Sequence, residues 1–278
     1  MSVKKLSITV LLATIVIASN VQGQSRQNID TAGHKSSKED KKEVRRQKIN
    51  ALIKQSEEGI LIYRKQTIFG IQGRSNGFGA FYELGKMKTN RKTNIYRLDI
   101  TEIKHQKEEK LSGGGGLVFG NPFVYGKINS FYQATLGFGQ QYILGQKGNK
   151  NGVAVSAVFN GGLALGLLKP YYLQVQDPAT GKDKTIKYSK ADSLLFVGPT
   201  IIGGGGIGKG WNEIKMKPGV FVKTAMRFDY GRFNEVVSGI EAGLSIEYYG
   251  SKIPIMIAQK DKQMFFQGYI SILFGRRK

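Results

Sequence analysis

The 278-residue chain contains no cysteine, which excludes a disulfide-stapled scaffold, a thiol enzyme and any cysteine-ligated metal or iron–sulfur centre. It is also short of acid, with 20 Asp+Glu against 42 Lys+Arg and a formal net charge of +22. Histidine is scarce, with two residues, His34 and His105, and neither stands in a cluster of acids, so no metal site is expected. Long hydrophobic runs are missing too: nowhere does the chain offer the roughly 18 consecutive apolar residues of a membrane-spanning helix. What it does have is 37 glycines, 40% apolar and 10% aromatic residues, enough for an ordered, packed structure. The length fits one domain of about 200 residues.

The N-terminus has the three parts of a secretory signal peptide. Met1–Lys5 is basic, LSITVLLATIVIA (Leu6–Ala18) is apolar, and Ser19–Gly23 ends in small residues. Residues 1–23 are therefore expected to be removed, leaving a mature chain from near Gln24 with no cysteine for a lipid anchor. Residues 24–58 are polar, with nine basic and six acidic residues interleaved. Ser36 or Ser37 can cap a helix, Glu39 completes a capping box, and no Gly or Pro interrupts the run to Gln55. A short solvated helix is expected there, with Val44, Ile49, Leu52 and Ile53 as sparse apolar positions for docking on a partner or entering a pore.

From residue 59 the period changes to two. Phe78, Ala80, Tyr82 and Leu84 alternate with Gly79, Phe81, Glu83 and Gly85; Tyr96, Leu98 and Ile100 alternate with Arg97, Asp99 and Thr101. The pattern returns in Tyr132–Gly139, Val153–Leu167, Val220–Tyr230, Ile240–Tyr248 and Phe266–Phe274, and more weakly in Ile60–Gly73. Period-two alternation rich in β-branched and aromatic residues predicts strands, here eight of them. Most runs reach the roughly 9–11 residues that a tilted membrane strand needs. The connections at one end are short (88–93, 145–151, 231–236), whereas at the other, after a tight turn at Arg74–Asn76, they are long (105–127, 169–215, 250–263). Short turns on the periplasmic side and long loops outside characterise transmembrane barrels.

The two faces differ in kind. One stripe is apolar, uncharged and tipped by Tyr82, Tyr96, Tyr230 and Tyr248; the other carries both charge signs and many glycines. In lipid the apolar stripe faces outward and closure satisfies the backbone. A soluble barrel of lipocalin type is the rival reading, with the faces inverted and Arg97–Asp99 and Arg227–Asp229 turned to water.

The chain resembles the small outer-membrane β-barrel proteins of Bacteroidota. The resemblance covers roughly residues 60–275 and rests on the order of YGKINSFYQATLGFGQQYIL (Tyr125–Leu144), GLALGLLKP (Gly162–Pro170), KPGVFVK (Lys217–Lys223), KIPIM (Lys252–Met256) and the closing FFQGYISILFG (Phe265–Gly275). The last segment resembles the assembly signal of such proteins, but Gly275-Arg276-Arg277-Lys278 follows its final aromatic residue, Phe274. An all-β, eight-stranded antiparallel transmembrane barrel over residues 59–278, with a short helical periplasmic segment before it, is the expected fold.

Two motifs invite chemistry. GGGGIGKG (Gly203–Gly210) satisfies the spacing of a phosphate-binding loop, yet Gly210 stands where the Mg²⁺-binding hydroxyl residue belongs, so a flexible surface loop is expected; Gly113–Gly116 reads likewise. His105, with Ser112 and Glu102, Glu108 or Glu109 near it in sequence, has the residue types of a hydrolase site without diagnostic spacing. No catalytic residue and no cofactor is therefore expected.

The inward stripe would hold Glu83, Arg97, Asp99, Lys223, Arg227, Asp229, Glu241 and Glu247, with Gln133, Asn160, Gln267 and Tyr269 among them. Eight strands leave an interior just wide enough for side chains, so these charges should pair and plug it. Lys86, Lys88, Arg91, Lys92, Lys147, Lys150, Arg276, Arg277 and Lys278 would form a basic periplasmic rim facing anionic headgroups or an acidic partner. The expectation is an outer-membrane protein with a structural or interaction role, residues 169–215 forming a mobile recognition loop. Its partners would be outer-membrane lipid and a periplasmic or envelope protein, without nucleic acid. An accessory role in a secretion or transport machine, a narrow pore and a lipid-modifying barrel enzyme are the alternatives.

Overall fold

The computed structural model describes residues 42–47, 49–50, 63–111, 121–148, 151–178, 180–206, 208–232, 235–257 and 259–278. The signal segment and most of residues 24–58 lie outside these, as do Ser112, Gly113–Gly116, Lys150 and His34; residues 42–47 and 49–50 are helical. Among the described residues no helix is long and apolar enough to cross a membrane.

In chain order the strands are β1 (Lys65–Arg74), β2 (Gly77–Thr89), β3 (Lys92–Ile103), β4 (Lys110–Leu111), β5 (Phe123–Val124), β6 (Asn129–Gly145), β7 (Ala154–Pro170), β8 (Tyr172–Gln176), β9 (Asp183–Lys187), β10 (Ile201–Gly204), β11 (Lys215–Asp229), β12 (Val236–Ile253) and β13 (Lys262–Arg277). The eight long ones close into a ring in the order β1-β13-β12-β11-β7-β6-β3-β2, so each pairs with its neighbours along the chain. β1 seals the ring against β13 in antiparallel register from Gln66↔Arg277 to Arg74↔Tyr269. Closure leaves no unpaired edge to recruit other chains.

Exposed and buried residues alternate along every long strand. Phe69, Leu98, Leu136, Phe159, Val222, Leu244 and Ile270 point out, while Arg97, Asp99, Arg227 and Glu241 are buried inside. The inverted, soluble arrangement of faces is therefore not the one adopted. The ring has a short-turn end and a long-loop end, as the sequence pattern predicts, with a two-residue turn at Ser75–Asn76 on the latter.

The lumen is layered. At the long-loop end Phe131, Phe221, Tyr249 and Phe265 meet Ile103, Leu168, Ile253 and Ile255 in an apolar plug. Its rings pack edge-on or tilted, with Phe131 5.4 Å from Tyr249 and 5.7 Å from Phe265 between centroids. Gly166 makes the room: a Cβ there would lie 2.7 Å from Phe131 Cε2 and 3.0 Å from Tyr249 Cε1. The β12–β13 connection is strapped over the mouth by the Ile128 N–H donating to the Ile255 carbonyl (2.8 Å) and Asn129 Nδ2 donating to the Pro254 carbonyl (2.8 Å).

One expectation is corrected at this end. The described residues of 171–214 are not irregular loop throughout but form a folded cap, in which β8 pairs with both β9 and β10. Phe123, Leu173, Val175, Ile186 and Phe196 form its core, and burying such side chains contributes about 1.5–3 kcal/mol each. The cap leans on the outside of the barrel through Trp211, stacked on Tyr132 at 5.9 Å with Lys169 Nζ 4.6 Å above the indole.

Candidate functional site

Glu83, Arg97, Asp99, Lys223, Arg227, Asp229, Glu241 and Glu247 are buried inside the ring, and their geometry is specific. Arg227 grips Glu83 with two parallel bonds of 2.7 Å, from Nη1 to Oε1 and from Nη2 to Oε2. The same guanidinium donates to Glu241 Oε2 from Nε (2.9 Å) and Nη2 (2.6 Å). Arg97 completes the set, donating to Glu241 Oε1 at 2.7 Å and to Asp99 Oδ1 at 3.2 Å while its guanidinium carbon lies 3.5 Å from the Phe81 ring centre. Lys223 Nζ reaches Asp99 Oδ1 at 2.8 Å, Thr135 donates to Asp99 Oδ2 at 3.1 Å, and Tyr269 donates to Glu241 Oε1 at 3.0 Å. Gln133, Asn160 and Gln267 are buried in the same interior. Strands β2, β3, β11, β12 and β13 thus join across the lumen, and the guanidiniums satisfy paired carboxylates as planar forks do.

Two smaller clusters hold the remaining acids. Glu247 is paired with Arg74 and accepts from Ser245 Oγ at 2.9 Å. Asp229 accepts from Arg277 Nη2 at 2.5 Å and from the Gly231 N–H at 2.9 Å, with Lys147 Nζ 3.6 Å away and bonded to the Gly231 carbonyl. Lys147 and Arg277 accordingly correct the rim prediction: they turn inward because Asp229 offers them a partner. Lys86, Lys88, Arg91, Arg276 and Lys278 are exposed at the short-turn end, Lys92 is half-buried there, and Lys150 is outside the described residues.

Sequence reading missed Arg74, placed in the first turn, although it continues the inward parity of Gln66 and Gln72. Gln66 and Ser156, on the polar stripe of the sequence pattern, join Gln141, which the sequence reading did not single out, through Gln66 Nε2 to Gln141 Oε1 (2.9 Å) and Gln141 Nε2 to Ser156 Oγ (3.0 Å). Among the described residues every lumen carboxylate has a cationic partner, so the interior is a cross-linked strut rather than a set of free acids and bases.

The other candidates come apart. Nδ1 of His105 accepts the Lys107 N–H at 3.2 Å, and the backbone N–H of His105 donates to Glu108 Oε1 at 3.0 Å. Glu108 in turn accepts from Lys127 Nζ at 2.7 Å. Partial burial, then the charge of Lys262, lowers the imidazole below its usual range. The glycine-rich motif is part strand and part turn: Gly203 and Gly204 belong to β10, Gly206 and Gly210 take left-handed backbone, and Lys209 Nζ bonds Thr185 Oγ1 at 3.0 Å. Only a three-residue turn, Trp211–Glu213, follows it, with no helix to face a phosphate. Among the described residues no group of three His, Asp or Glu is arranged to hold a metal ion.

No family model matches the chain, and no curated protein matches it. Among solved structures it is similar to Neisserial surface protein A, at 11% identity and a TM-score of 0.37, covering 77% of this chain and 96% of that one. It is similar to the N-terminal β-barrel domain of OprF of Pseudomonas aeruginosa, at 8% identity and a TM-score of 0.36, over 77% and 99% of the two chains. It is also similar to Ail, the attachment invasion locus protein of Yersinia pestis, in complex with the heparin analogue sucrose octasulfate, at 10% identity, 0.36, and 78% and 100% coverage. The eight-stranded antiparallel barrel itself is read from the strand order and register above; at these scores no property of the three proteins transfers to this chain.

Proposed function

We propose that the chain is an outer-membrane barrel with a structural or interaction role in the cell envelope: it does not conduct, performs no catalysis and displays the cap of residues 171–214 at the cell surface. The outward belt carries this reading. On β13 Lys262 and Arg276 bracket Met264, Phe266, Gly268, Ile270, Ile272 and Phe274, with no charge between them on that face. Residues 264–274 span roughly 34 Å at about 3.4 Å per residue. At a tilt near 40° that is roughly 26 Å, the height of the apolar band of outer-membrane barrels.

In this orientation the signal peptide exports the chain, the short-turn end with Lys86, Lys88, Arg91 and Lys92 faces the periplasm, and an envelope protein or anionic headgroups meet that rim. The affiliation with the Bacteroidota barrels is part of the same proposal and is supported by the segments Tyr125–Leu144 and Phe265–Gly275. The test is migration on a denaturing gel, together with planar-bilayer recording. An unboiled band running ahead of the boiled one, from the membrane fraction, with no steady conductance steps, is the expected result. A soluble protein with unchanged migration would overturn the membrane reading, and steady steps would overturn the plugged lumen.

A further inference from the structure

The outward surface of the barrel is not even. Where β6, β7 and β11 run side by side it is hollowed into a groove of about 550 Å³, within the range of about 300–1,000 Å³ common for ligand clefts. Phe138, Tyr142, Phe159 and Val222 wall it, and Gly161 lies between its register partners, Phe138 on β6 and Val222 on β11. The packing of the barrel itself does not demand a glycine there. A Cβ on the next residue, Gly162, would lie 2.2 Å from the Leu136 carbonyl oxygen, whereas one on Gly161 would meet nothing nearer than the Phe221 carbonyl oxygen at 3.3 Å. From Tyr142 to Phe138 the groove follows β6 for about 14 Å, comparable to the roughly 15 Å that one leaflet gives to the hydrocarbon core.

At its short-turn edge the surface becomes polar and basic. Lys86, Asn94 and Gln140 are register partners across β2, β3 and β6, all on the outward face. Lys92, two residues before Asn94 on that face, holds its Nζ 5.3 Å from the centre of the Tyr142 ring, which is itself part of the groove wall. Gln140 accepts from the Tyr142 hydroxyl and donates from Nε2 to Asn94 Oδ1 at 3.5 Å, which leaves the Asn94 Nδ2 hydrogens for another acceptor. None of the ion pairs among the described residues uses Lys86 or Lys92. The acid on the outward faces of these three strands, Glu102, stands at the long-loop end of β3.

An apolar groove one leaflet long, whose end meets two ammonium groups and two amides, has the shape and charge pattern that complement a single lipid molecule. We propose that this face binds an anionic glycerophospholipid of the periplasmic leaflet, with one acyl chain lying over Gly161 and the phosphodiester held by Lys86, Lys92 and the amides of Asn94 and Gln140. Bonds from ammonium groups to a phosphodiester are charge-assisted and about twice as strong as neutral ones. Tyr142 and Tyr96, outward beside the polar patch, suit the boundary between headgroups and hydrocarbon. The proposal rests on the membrane orientation given above, since it needs the short-turn end at the periplasmic interface.

The test counts lipids bound to the full chain in neutral-detergent micelles, by native mass spectrometry during titration with phosphatidylglycerol. One lipid is expected to be held more tightly than any that follow, and about tenfold more tightly than phosphatidylcholine. Lys86→Gln with Lys92→Gln, and separately Gly161→Leu, which fills the groove, should each weaken that first binding about tenfold or more. Two controls should stay within about twofold of the parent chain. Arg276→Gln with Lys278→Gln removes the same charge from the rim beside β13, which is separated from β3 by β2 and β1. Gly268→Leu adds the same side chain on β13, where a Cβ meets nothing nearer than 4.0 Å. An unboiled band ahead of the boiled one identifies the folded variants, and Val222→Trp, which fills the groove from β11, replaces Gly161→Leu if that variant does not fold. The absence of a distinct first lipid, equal binding of phosphatidylcholine, or equal losses in the controls overturns the proposal. If the lipid site alone fails, the faster unboiled band persists; if the membrane reading fails, that band is absent, the chain is soluble without detergent, and both readings fall.

Discussion

Arg227→Met is expected to lower the unfolding free energy of the barrel by about 3–5 kcal/mol, the cost of breaking a buried ion pair from one side. Methionine matches the length of the arginine stem, so lost volume is a minor part of the effect. The main part is electrostatic. Glu83 loses its bidentate partner and Glu241 loses one of its two guanidiniums, leaving Arg97, 2.7 Å from Glu241 and 3.6 Å from Glu83, to serve both acids. Both carboxylates are fully buried, so neither can recover its hydration. Urea unfolding in lipid vesicles measures the loss. Adding Glu83→Gln to Arg227→Met removes one stranded charge and should recover more than half of it, because a buried pair replaced on both sides costs far less than one broken. A single substitution that moves stability by less than about 1 kcal/mol would mean that water reaches the network and the lumen is not closed.

Leu244→Arg is the second large effect. Leu244 lies at the middle of β12 on the outward face, opposite Thr224 on one side and Gly268 on the other. An arginine at the bilayer midplane costs about 2–4 kcal/mol, falling to about 0–1 near the interface. Val236→Arg, on the same face but at the short-turn end beside Arg276, is therefore expected to be nearly neutral. Vesicle refolding of the two variants gives the contrast. Equal stability in both would place that face in water.

The strands were legible because a half-buried sheet writes its two environments into alternate residues. In Ile240–Tyr248 the outward positions are apolar and the inward ones Glu241, Ser245 and Glu247, so one pass along the chain yields both strand and face. Contrast fails where both faces are apolar. Phe131–Tyr132, Tyr248–Tyr249 and Phe265–Phe266 each put one ring on the belt and one in the plug, and no periodicity separates them. The plug at the long-loop end was consequently invisible before the register was known.

The cap was missed for a different reason. Its strands are four or five residues long, too short for a period to register, and Asp183–Lys187 is polar enough to read as loop. Four successive glycines, Gly203–Gly206, suggest flexibility by composition; pairing of Gly203 and Gly204 with Gln174 and Leu173 overrides it. Arg74, Lys147 and Arg277 stand at strand ends or in a turn, where parity is weakest. Only the position of Glu247 and Asp229 across the ring explains why they point inward.

The central claim, lipid outside and paired charge inside, is tested most directly by the collision rates of single nitroxides, which a chain without cysteine permits at any position. Labels at Ile240, Ala242, Leu244 and Ile246 should collide freely with oxygen and hardly at all with a water-soluble nickel chelate, the difference peaking at Leu244. Labels at Gly243 and Ser245 should meet neither. High collision with the nickel chelate at Leu244 and Ile246 would place the apolar face in water and contradict the account.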